Sequence, residues 1–366
     1  MDVKVAARVF HDWAVGEGLM TESVVAPSST DAELALVSPI TDDGNVALRH
    51  KRIQHVAFDE ENGQVVVFTK LTAPSSKKAL AAVPTQVGEI EVVYRQGSHT
   101  QVGDPPVTPF GGPPYSIRQA AGSDRYACGS SISVGNFREA GTLGCLVRDT
   151  NGVLFGMSNN HVSGACSCAE RGLPIVAPGI ADVSAQSIPP FTLGFHHRTL
   201  PMLIGSPTVV SISQNTDVAV FKIRDEGLVT SFQGAAYDTP GTTTPITAGM
   251  VVEKVGRTTG HTTGTVIAEL FGPTPVPYAA PVYGFSGQIF FEKVFVVRGD
   301  TDAFSTNGDS GSLVTTLSPD GTRQGVALVF AGMNDNKAPG GSLSLVLPLE
   351  PMLRELGLTL VSGHNV

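Results

Sequence analysis

The sequence predicts a mainly β protein in which two β-barrels follow a small α+β module. The chain of 366 residues contains 41 glycines and 25 prolines, with short Val/Ile/Thr-rich runs between them. This composition is typical of strands joined by many turns. The strand-like runs also fall into two clusters, separated near residues 226–247 by polar and Pro/Gly-rich sequence. Paired clusters of short strands indicate two barrels.

Residues 1–97 carry the signals of the α+β module. Apolar residues at helical spacing predict an amphipathic helix within residues 3–20, and Ser75–Ala82 is typical of a short helix capped by a serine. Strand-like runs cover Glu33–Ser38, Gln54–Phe58, Gln64–Lys70 and Glu89–Tyr94. These signals fit a module with its own core, or a prosegment that only packs against the rest. Residues 98–124 follow as a Pro/Gly-rich linker.

Residues 125–360 contain the strands of the two predicted barrels. Asn151-Gly152, between Leu143–Arg148 and Val153–Ser158, is a strong signal for a β-hairpin. The series of strand-like runs continues to the end of this region and includes Val209–Ser213, Val218–Ile223 and Gly325–Phe330. Apolar residues at helical spacing in Leu349–Leu356 predict a closing helix.

Composition and charge exclude several classes of function. The chain has 24 basic and 33 acidic residues, a net charge of −9, and no basic tract of five or more residues, so we expect no nucleic-acid partner. No apolar run reaches the roughly 18 residues of a membrane-spanning helix. The first 20 residues are interrupted by charges, so we expect no signal peptide. With only four cysteines, we expect a cytoplasmic protein with reduced thiols.

Two of these cysteines invite a metal-site interpretation. Cys166 and Cys168 lie close behind His161 in the sequence. A Cys-x-Cys pair with one histidine does not complete a tetrahedral ligand set, and His196-His197 is at no diagnostic spacing. We therefore expect a small buried thiol cluster, and neither a metal nor a cofactor.

The segment Asn307-Gly308-Asp309-Ser310-Gly311-Ser312 is the candidate nucleophile loop. Its glycines allow a sharp turn that exposes one hydroxyl and aims backbone N–H groups at the same point. Acyl transfer needs this combination of a nucleophile and an oxyanion hole. Taken alone, the segment fits a surface turn equally well.

A candidate base and acid occur upstream of this loop. His161 follows the second strand of the Asn-Gly hairpin, where its ring would be exposed in a cleft. Asp217 opens the apolar run Val218–Ile223, and a buried carboxylate there requires hydrogen-bond donors, of which a histidine N–H is one. Each residue alone also fits a structural role, His161 as a strand-end polar residue and Asp217 as a cap.

The order His161, Asp217, Ser310, each in its strand context, resembles that of chymotrypsin-like serine peptidases. Lys254–Val266, Ser158–Val162 and the run ending in Gly-Asp-Ser-Gly-Ser are similar to the narrow-leaf group of trypsin-like peptidases of plants and bacteria. This similarity covers about residues 125–360. It implies a trypsin-like, chymotrypsin-fold domain, in some members assembled into homo-oligomers.

The resemblance also implies roles for individual residues. Ser310 would be the nucleophile, His161 the general base and then acid, and Asp217 the residue that orients it. The backbone N–H groups of Gly308 and Ser310 would form the oxyanion hole. Phe304, six residues before the nucleophile, would lie at the base of the substrate pocket and make it shallow and apolar. Asp300 and Asp302 are close enough that a small alignment slip would restore a basic preference.

Two further expectations concern regulation of the predicted peptidase. Secreted relatives activate when a new N-terminus pairs with the aspartate next to the nucleophile, but a long upstream sequence precedes Asp309 here. We predict that Asp309 pairs internally or caps the loop, and that activity needs no N-terminal processing.

The Gly/Thr-rich stretch 256–265 has two interpretations. Its Thr hydroxyls and Arg257 would either line the cleft or brace the second barrel, and we expect bracing. His261 would either touch substrate or lie on a loop surface, and we expect the loop surface.

Several functions remain compatible with the sequence. The first is a serine endopeptidase acting on a protein or peptide substrate. The second is a catalytically silent module that keeps the fold to bind or regulate a partner, and the third is an esterase acting on a non-peptide. Residues 1–97 would serve any of these by binding a regulatory partner.

Overall fold

A computed structural model describes residues 1–20, 24–102 and 113–366 of the chain. Most of its regular elements are β-strands, arranged as two barrel sheets with helices concentrated at the N-terminus. The predicted fold class, two β-barrels preceded by a small α+β module, is confirmed. No helix among these residues is long and apolar enough to cross a membrane.

The N-terminal part alternates helices and strands. In chain order these are α1 (Val3–Gly16), α2 (Asp31–Leu34), α3 (Asp42–Lys51), β1 (Ile53–Asp59), β2 (Gln64–Thr69), α4 (Lys77–Leu80), β3 (Gln86–Val87), β4 (Ile90–Gln96) and β5 (Ser98–His99). The predicted serine cap is confirmed, because the Ser76 side chain accepts a hydrogen bond from the Ala79 N–H at the start of α4.

The elements of the first barrel region follow. In chain order they are β6 (Ile117–Ala120), β7 (Ser123–Cys128), β8 (Ser131–Val134), β9 (Gly141–Thr142), β10 (Cys145–Arg148), β11 (Leu154–Ser158), the short helix α5 (Asn160–Ser163), β12 (Pro174–Ala177), β13 (Phe191–Thr199), β14 (Ala219–Ile223), β15 (Val229–Gln233) and β16 (Tyr237–Asp238). Strands β6, β7, β15 and β16 form a four-stranded sheet of their own beside the barrel wall. The order β10-β11-β14-β13-β12-β8 forms the barrel wall. The predicted hairpin is β10–β11, with Cys145 opposite Met157 and Arg148 opposite Leu154.

The second barrel is closed. Its elements are β17 (Val251–Gly256), β18 (Gly260–Leu270), β19 (Thr274–Ala280), β20 (Phe285–Phe291), β21 (Phe295–Gly299), β22 (Leu313–Leu317), β23 (Arg323–Asn334) and β24 (Ser342–Pro348), followed by α6 (Leu349–Leu356) and β25 (Thr359–Leu360). The path β17-β22-β23-β24-β21-β18 returns to its start because β17 also pairs with β18. Strands β19 and β20 form a separate long hairpin.

The N-terminal strands extend the sheet of the second barrel. Strand β1 pairs with β18, with Ala57 opposite Leu270, and β2, β4 and β3 continue outward from β1. A distinct apolar core lies beneath α1, where Val9 and Phe10 pack with Val65 and Val67 of β2. The boundaries 1–97, 98–124 and 125–360 stay a prediction. Of the proposed linker, residues 103–112 lie outside the described residues.

Two strand predictions are wrong. Glu33–Ser38 overlaps helix α2, because Thr30 and Glu33 form a reciprocal capping box that starts a helix there. Val209–Ser213 pairs with no described strand, and Val209 is 81% exposed. An apolar run without a neighbour to bury it does not form a strand.

Candidate active site

A cavity of about 530 Å³ brings the predicted catalytic residues together. His161, Gly308 and Ser310 line it, along with Arg257 and the C-terminal part of β23. Asp217 lies behind His161 and is fully buried. His161, Gly308 and Ser310 thus share one cleft, and Asp217 lies outside it but contacts His161.

His161 and Asp217 form a doubly hydrogen-bonded pair. The Nδ1 atom of His161 lies 2.6 Å from Asp217 Oδ2, and its backbone N–H donates to Asp217 Oδ1 at 3.0 Å. Helix α5 begins directly after β11 and so places the ring at the end of the sheet. Since the carboxylate only accepts, Nδ1 carries the proton, and Nε2 is left as the basic atom.

Two residues that the sequence did not single out complete the surroundings of Asp217. The Tyr278 hydroxyl donates to Asp217 Oδ2 at 2.9 Å, and the Asn159 side-chain amide donates to the Asp217 carbonyl at 2.7 Å. Burial and the charge of Asp217 raise the pKa of Tyr278, so it stays a neutral donor. Asn159 lies two residues before His161 in the sequence, but Tyr278 on β19 carried no local signal.

The nucleophile loop depends on two glycines in left-handed conformations. Gly308 has φ +96° and Gly311 has φ +93°. A Cβ atom at Gly308 would lie 2.5 Å from Thr258 Oγ1, so this position has neither the backbone angle nor the space for a side chain. The loop is tied to the first barrel by Thr142, whose hydroxyl donates to the Gly308 carbonyl and whose N–H donates to the Ser310 carbonyl, both at 2.9 Å.

The backbone amides predicted to form an oxyanion hole have a defined orientation. The Thr258 hydroxyl donates to the Asn307 carbonyl at 2.7 Å. In a planar trans peptide the next N–H, that of Gly308, points in the opposite direction. Among the described residues, neither this N–H nor that of Ser310 donates to a protein acceptor. Likewise no hydrogen bond joins Ser310 to His161 there, and such contacts often form only with substrate bound.

Asp309 pairs internally, as predicted. Its carboxylate accepts from the N–H groups of Thr258, Thr259 and Thr306 at 2.8, 3.1 and 2.9 Å, and from the Thr259 hydroxyl at 2.9 Å. The ammonium of Lys254 lies 3.9 Å from Asp309, and both side chains are fully buried. Burial lowers the pKa of Lys254, and the Asp309 charge opposes that shift. Lys254 is therefore a buried cation beside Asp309, the residue that precedes Ser310.

Arg257 braces the cleft between the barrels. Its guanidinium makes a buried bidentate ion pair with Asp182, and its backbone N–H donates to Thr142 Oγ1 at 3.1 Å. Asp182 belongs to the first barrel region and Arg257 to the β17–β18 turn. Both contacts join the β17–β18 turn to the first barrel, so Arg257 ties the two barrels together instead of bracing the second barrel alone, and it also lines the cavity.

Phe304 does not line the cleft. Its side chain is 1% exposed and packs in the core of the second barrel with Val252, Val266 and Phe295. Ser305 lines the cavity instead, and its hydroxyl lies 2.5 Å from that of Ser344. The prediction that Phe304 forms an apolar pocket base is therefore wrong. The number of residues between Phe304 and Ser310 does not show which side of the chain faces the core.

The remaining candidate residues have structural surroundings. Asp300 accepts a hydrogen bond from the Thr263 hydroxyl, and Asp302 accepts one from the Ala303 N–H. Neither aspartate lines the cavity. The prediction that His261 lies on a loop is wrong, because it belongs to strand β18 opposite Val255; its side chain is half-exposed and lies 2.7 Å from Glu253. The cysteines are free thiols, and burial raises the pKa of Cys166. Within the described parts of the chain, no cluster of three metal-ligating side chains occurs.

Comparisons with known proteins give partial likenesses. No family model matches the chain. Protein NARROW LEAF 1 of Oryza sativa subsp. japonica is 38% identical over 85 residues, which is 23% of this chain and 13% of that relative. This chain therefore matches only a small part of that protein's length.

Several solved protease structures cover about two thirds of the chain. Thermobifida fusca protease A has a TM-score of 0.41 and 20% identity, covering 65% of this chain and 100% of its own. Nocardiopsis protease has a TM-score of 0.41 and 18% identity, covering 64% and 97%. Cellulomonas bogoriensis chymotrypsin has a TM-score of 0.40 and 17% identity, covering 64% and 98%.

Proposed function

We propose that this protein is a serine peptidase, with Ser310 as nucleophile, His161 as base and Asp217 as the group that orients the base. The observation that carries the proposal is the His161–Asp217 pair, 2.6 Å apart, in the same cleft as Ser310. The fully buried carboxylate holds the ring in one tautomer and stabilises the imidazolium that forms on proton transfer.

The proposed reaction has two halves. In the first, Ser310 Oγ attacks the substrate carbonyl while His161 Nε2 takes its proton, and the same proton then passes to the leaving amine. The C–N bond breaks and an ester to Ser310 remains. In the second, a water loses a proton to His161 and attacks this ester, which releases the acid and returns the proton to Ser310.

The backbone supplies the proposed electrostatic stabilisation. The N–H groups of Gly308 and Ser310 would bind the negative oxygen of each tetrahedral intermediate. The Thr258 hydroxyl supports this role because it fixes the peptide that precedes Gly308. Losing one such donor typically lowers kcat by about 10²–10³.

A fluorophosphonate probe tests the proposal directly, since it reacts with an activated serine. We expect labelling of the full-length chain and none of Ser310→Ala. The exposed serine variant Ser213→Ala serves as the matched control and should label like the unmodified chain. Peptide-library cleavage with the same variants separates a peptidase from an esterase. Absence of labelling in the folded chain would favour the silent binding module.

A further inference from the structure

Strand β5 lies against the cleft-facing part of β23. His99 is opposite Met333 and Ser98 is opposite Asn334 in an antiparallel pair. The chain then continues along β23, because the Thr100 N–H and the Thr100 hydroxyl both donate to the Gly332 carbonyl, at 3.0 and 3.1 Å. Thr100, Gln101 and Val102 line the same cavity as Ser310 and so form one wall of the cleft.

The edge that β5 occupies is the edge an extended peptide would need. Strand β24 covers one side of β23 up to Asn334. On the other side β22 pairs as far as Leu328, and the nucleophile loop bonds Val329 through the Gly311 and Ser312 backbones. Strand β5 and Thr100 bond β23 only from Gly332 to Asn334. Between these two contacts, at residues 330–331, no described strand covers this side of β23. Extended peptides commonly bind by adding a strand to such an edge.

Strand β5 runs toward the nucleophile loop, so a peptide added to β23 in the same direction would have its N-terminal residues where β5 lies. The chain from Ser98 to Thr100 passes Asn334, Met333 and Gly332 in turn, and so runs toward the nucleophile loop. Val329, where that loop is bonded, is three residues from Gly332. At about 3.4 Å per residue, this separation is roughly 10 Å, which an extended peptide crosses in two to three residues.

We propose that β5 limits the length of substrate upstream of the cut, so that this protein cleaves peptides after about the second or third residue. A longer N-terminal arm on the same edge would coincide with Thr100. The inference rests on the proposed peptidase function and narrows the endopeptidase expectation to cuts near a free N-terminal end. The substrate class is a polypeptide with a short, extended N-terminal arm.

The segment Thr100–Val102 is held by hydrogen bonds to β23 at one end and to β19 at the other. Beyond Thr100, the Val102 N–H donates to the Pro277 carbonyl at 2.9 Å, and the Ala279 N–H donates to the Val102 carbonyl at 2.8 Å. A long substrate would have to break these bonds and the pairing with β23 together. The segment therefore acts as a fixed part of the cleft wall.

A peptide series tests this length limit on the full chain. The peptides share one cleavage sequence and carry one to six residues before the scissile bond. We expect kcat/KM to peak at two or three residues and to fall at least tenfold at five and six. Equal rates for the long peptides would overturn the proposal. Fluorophosphonate labelling, which is independent of peptide length, shows separately whether the proposed peptidase function holds; if the folded chain is not labelled, both fail.

Variants at Thr100 connect the limit to β5. Thr100→Pro removes both donors to Gly332 and should raise the rate on the longest peptides at least fivefold relative to the shortest. Thr100→Val keeps the N–H and removes only the hydroxyl donor, so its gain on the longest peptides should be smaller than that of Thr100→Pro. Hydrogen exchange at the Thr100 amide of the unmodified chain is a second measurement that does not need the proline variant to fold. Protection that persists while a six-residue arm is cleaved at full rate would contradict the proposal.

Discussion

Replacing Lys254 by methionine tests whether an internal cation supports the nucleophile loop. Methionine keeps an unbranched apolar stem and removes the ammonium, which lies 3.9 Å from Asp309 and 6.0 Å from the centre of the Phe304 ring. The Asp309 carboxylate would stay buried with its hydrogen bonds from Thr258, Thr259 and Thr306. The loop would then hold a negative charge without its cation.

Removing one partner of a fully buried ion pair typically costs about 3–5 kcal/mol of stability. We expect about 3 kcal/mol for Lys254→Met, the lower end of that range, because the hydrogen bonds to Asp309 remain. With an unfolding entropy of roughly 2.1 cal/mol/K per residue over 366 residues, this loss lowers Tm by about 4 °C. The rate of fluorophosphonate labelling should fall about tenfold or more, since Asp309 adjoins Ser310.

Calorimetry and labelling kinetics measure these two effects, and the exposed Lys222→Met on β14 is the matched control. The double variant Lys254→Met/Asp309→Asn should regain part of the lost stability, because no unpaired charge remains. Unchanged stability and labelling in Lys254→Met would refute the role of the pair. Labelling only after a cut near residue 125 would instead show that a new N-terminus is required.

Three further outcomes follow from single contacts. Tyr278→Phe removes a 2.9 Å hydrogen bond to the Asp217 carboxylate and should lower kcat/KM about tenfold. The reason is that hydrogen bonds to charged groups contribute about 1.5–3 kcal/mol, and an unchanged kcat/KM would contradict this expectation. Thr258→Val releases the Asn307 carbonyl and should lower kcat up to about 10²-fold with little change in KM, whereas a change confined to KM would argue against it. Burial lowers the pKa of His99 to about 4, so between pH 6.5 and 4 the unfolded chain binds a proton that the folded chain does not. Stability should therefore fall on acidification through that window, by up to about 3 kcal/mol, and urea unfolding of His99→Phe should show a smaller loss.

The features read correctly from sequence have local signals. The Asn151-Gly152 signal predicted the β10–β11 hairpin because Gly152, at φ +82°, adopts the left-handed conformation that the turn between the paired strands requires. The serine cap of α4 was predictable for the same kind of reason, since capping involves residues three apart. Where two local signals competed, at Glu33–Ser38, the capping box outweighed the apolar alternation.

The candidate site was predicted in part because its members each lie in a recognisable local context. His161 follows a strand, Asp217 precedes one, and Ser310 lies between Gly308 and Gly311. The structure places His161 and Asp217 in contact and Ser310 in the same cleft. Tyr278 was missed because it reaches Asp217 from β19, and no spacing in the sequence indicates that contact.

The sequence by itself determined the mainly β class, the hairpin, the candidate catalytic residues and the internal pairing of Asp309. Only the tertiary structure decided that Lys254 is the cation near Asp309, that Phe304 faces the core, and that β5 lies on the edge of β23. Turns and caps depend on neighbours within a few residues. Ion pairs, pocket walls and strand partners instead depend on which distant segments the barrels bring together, and that is set only when the chain packs.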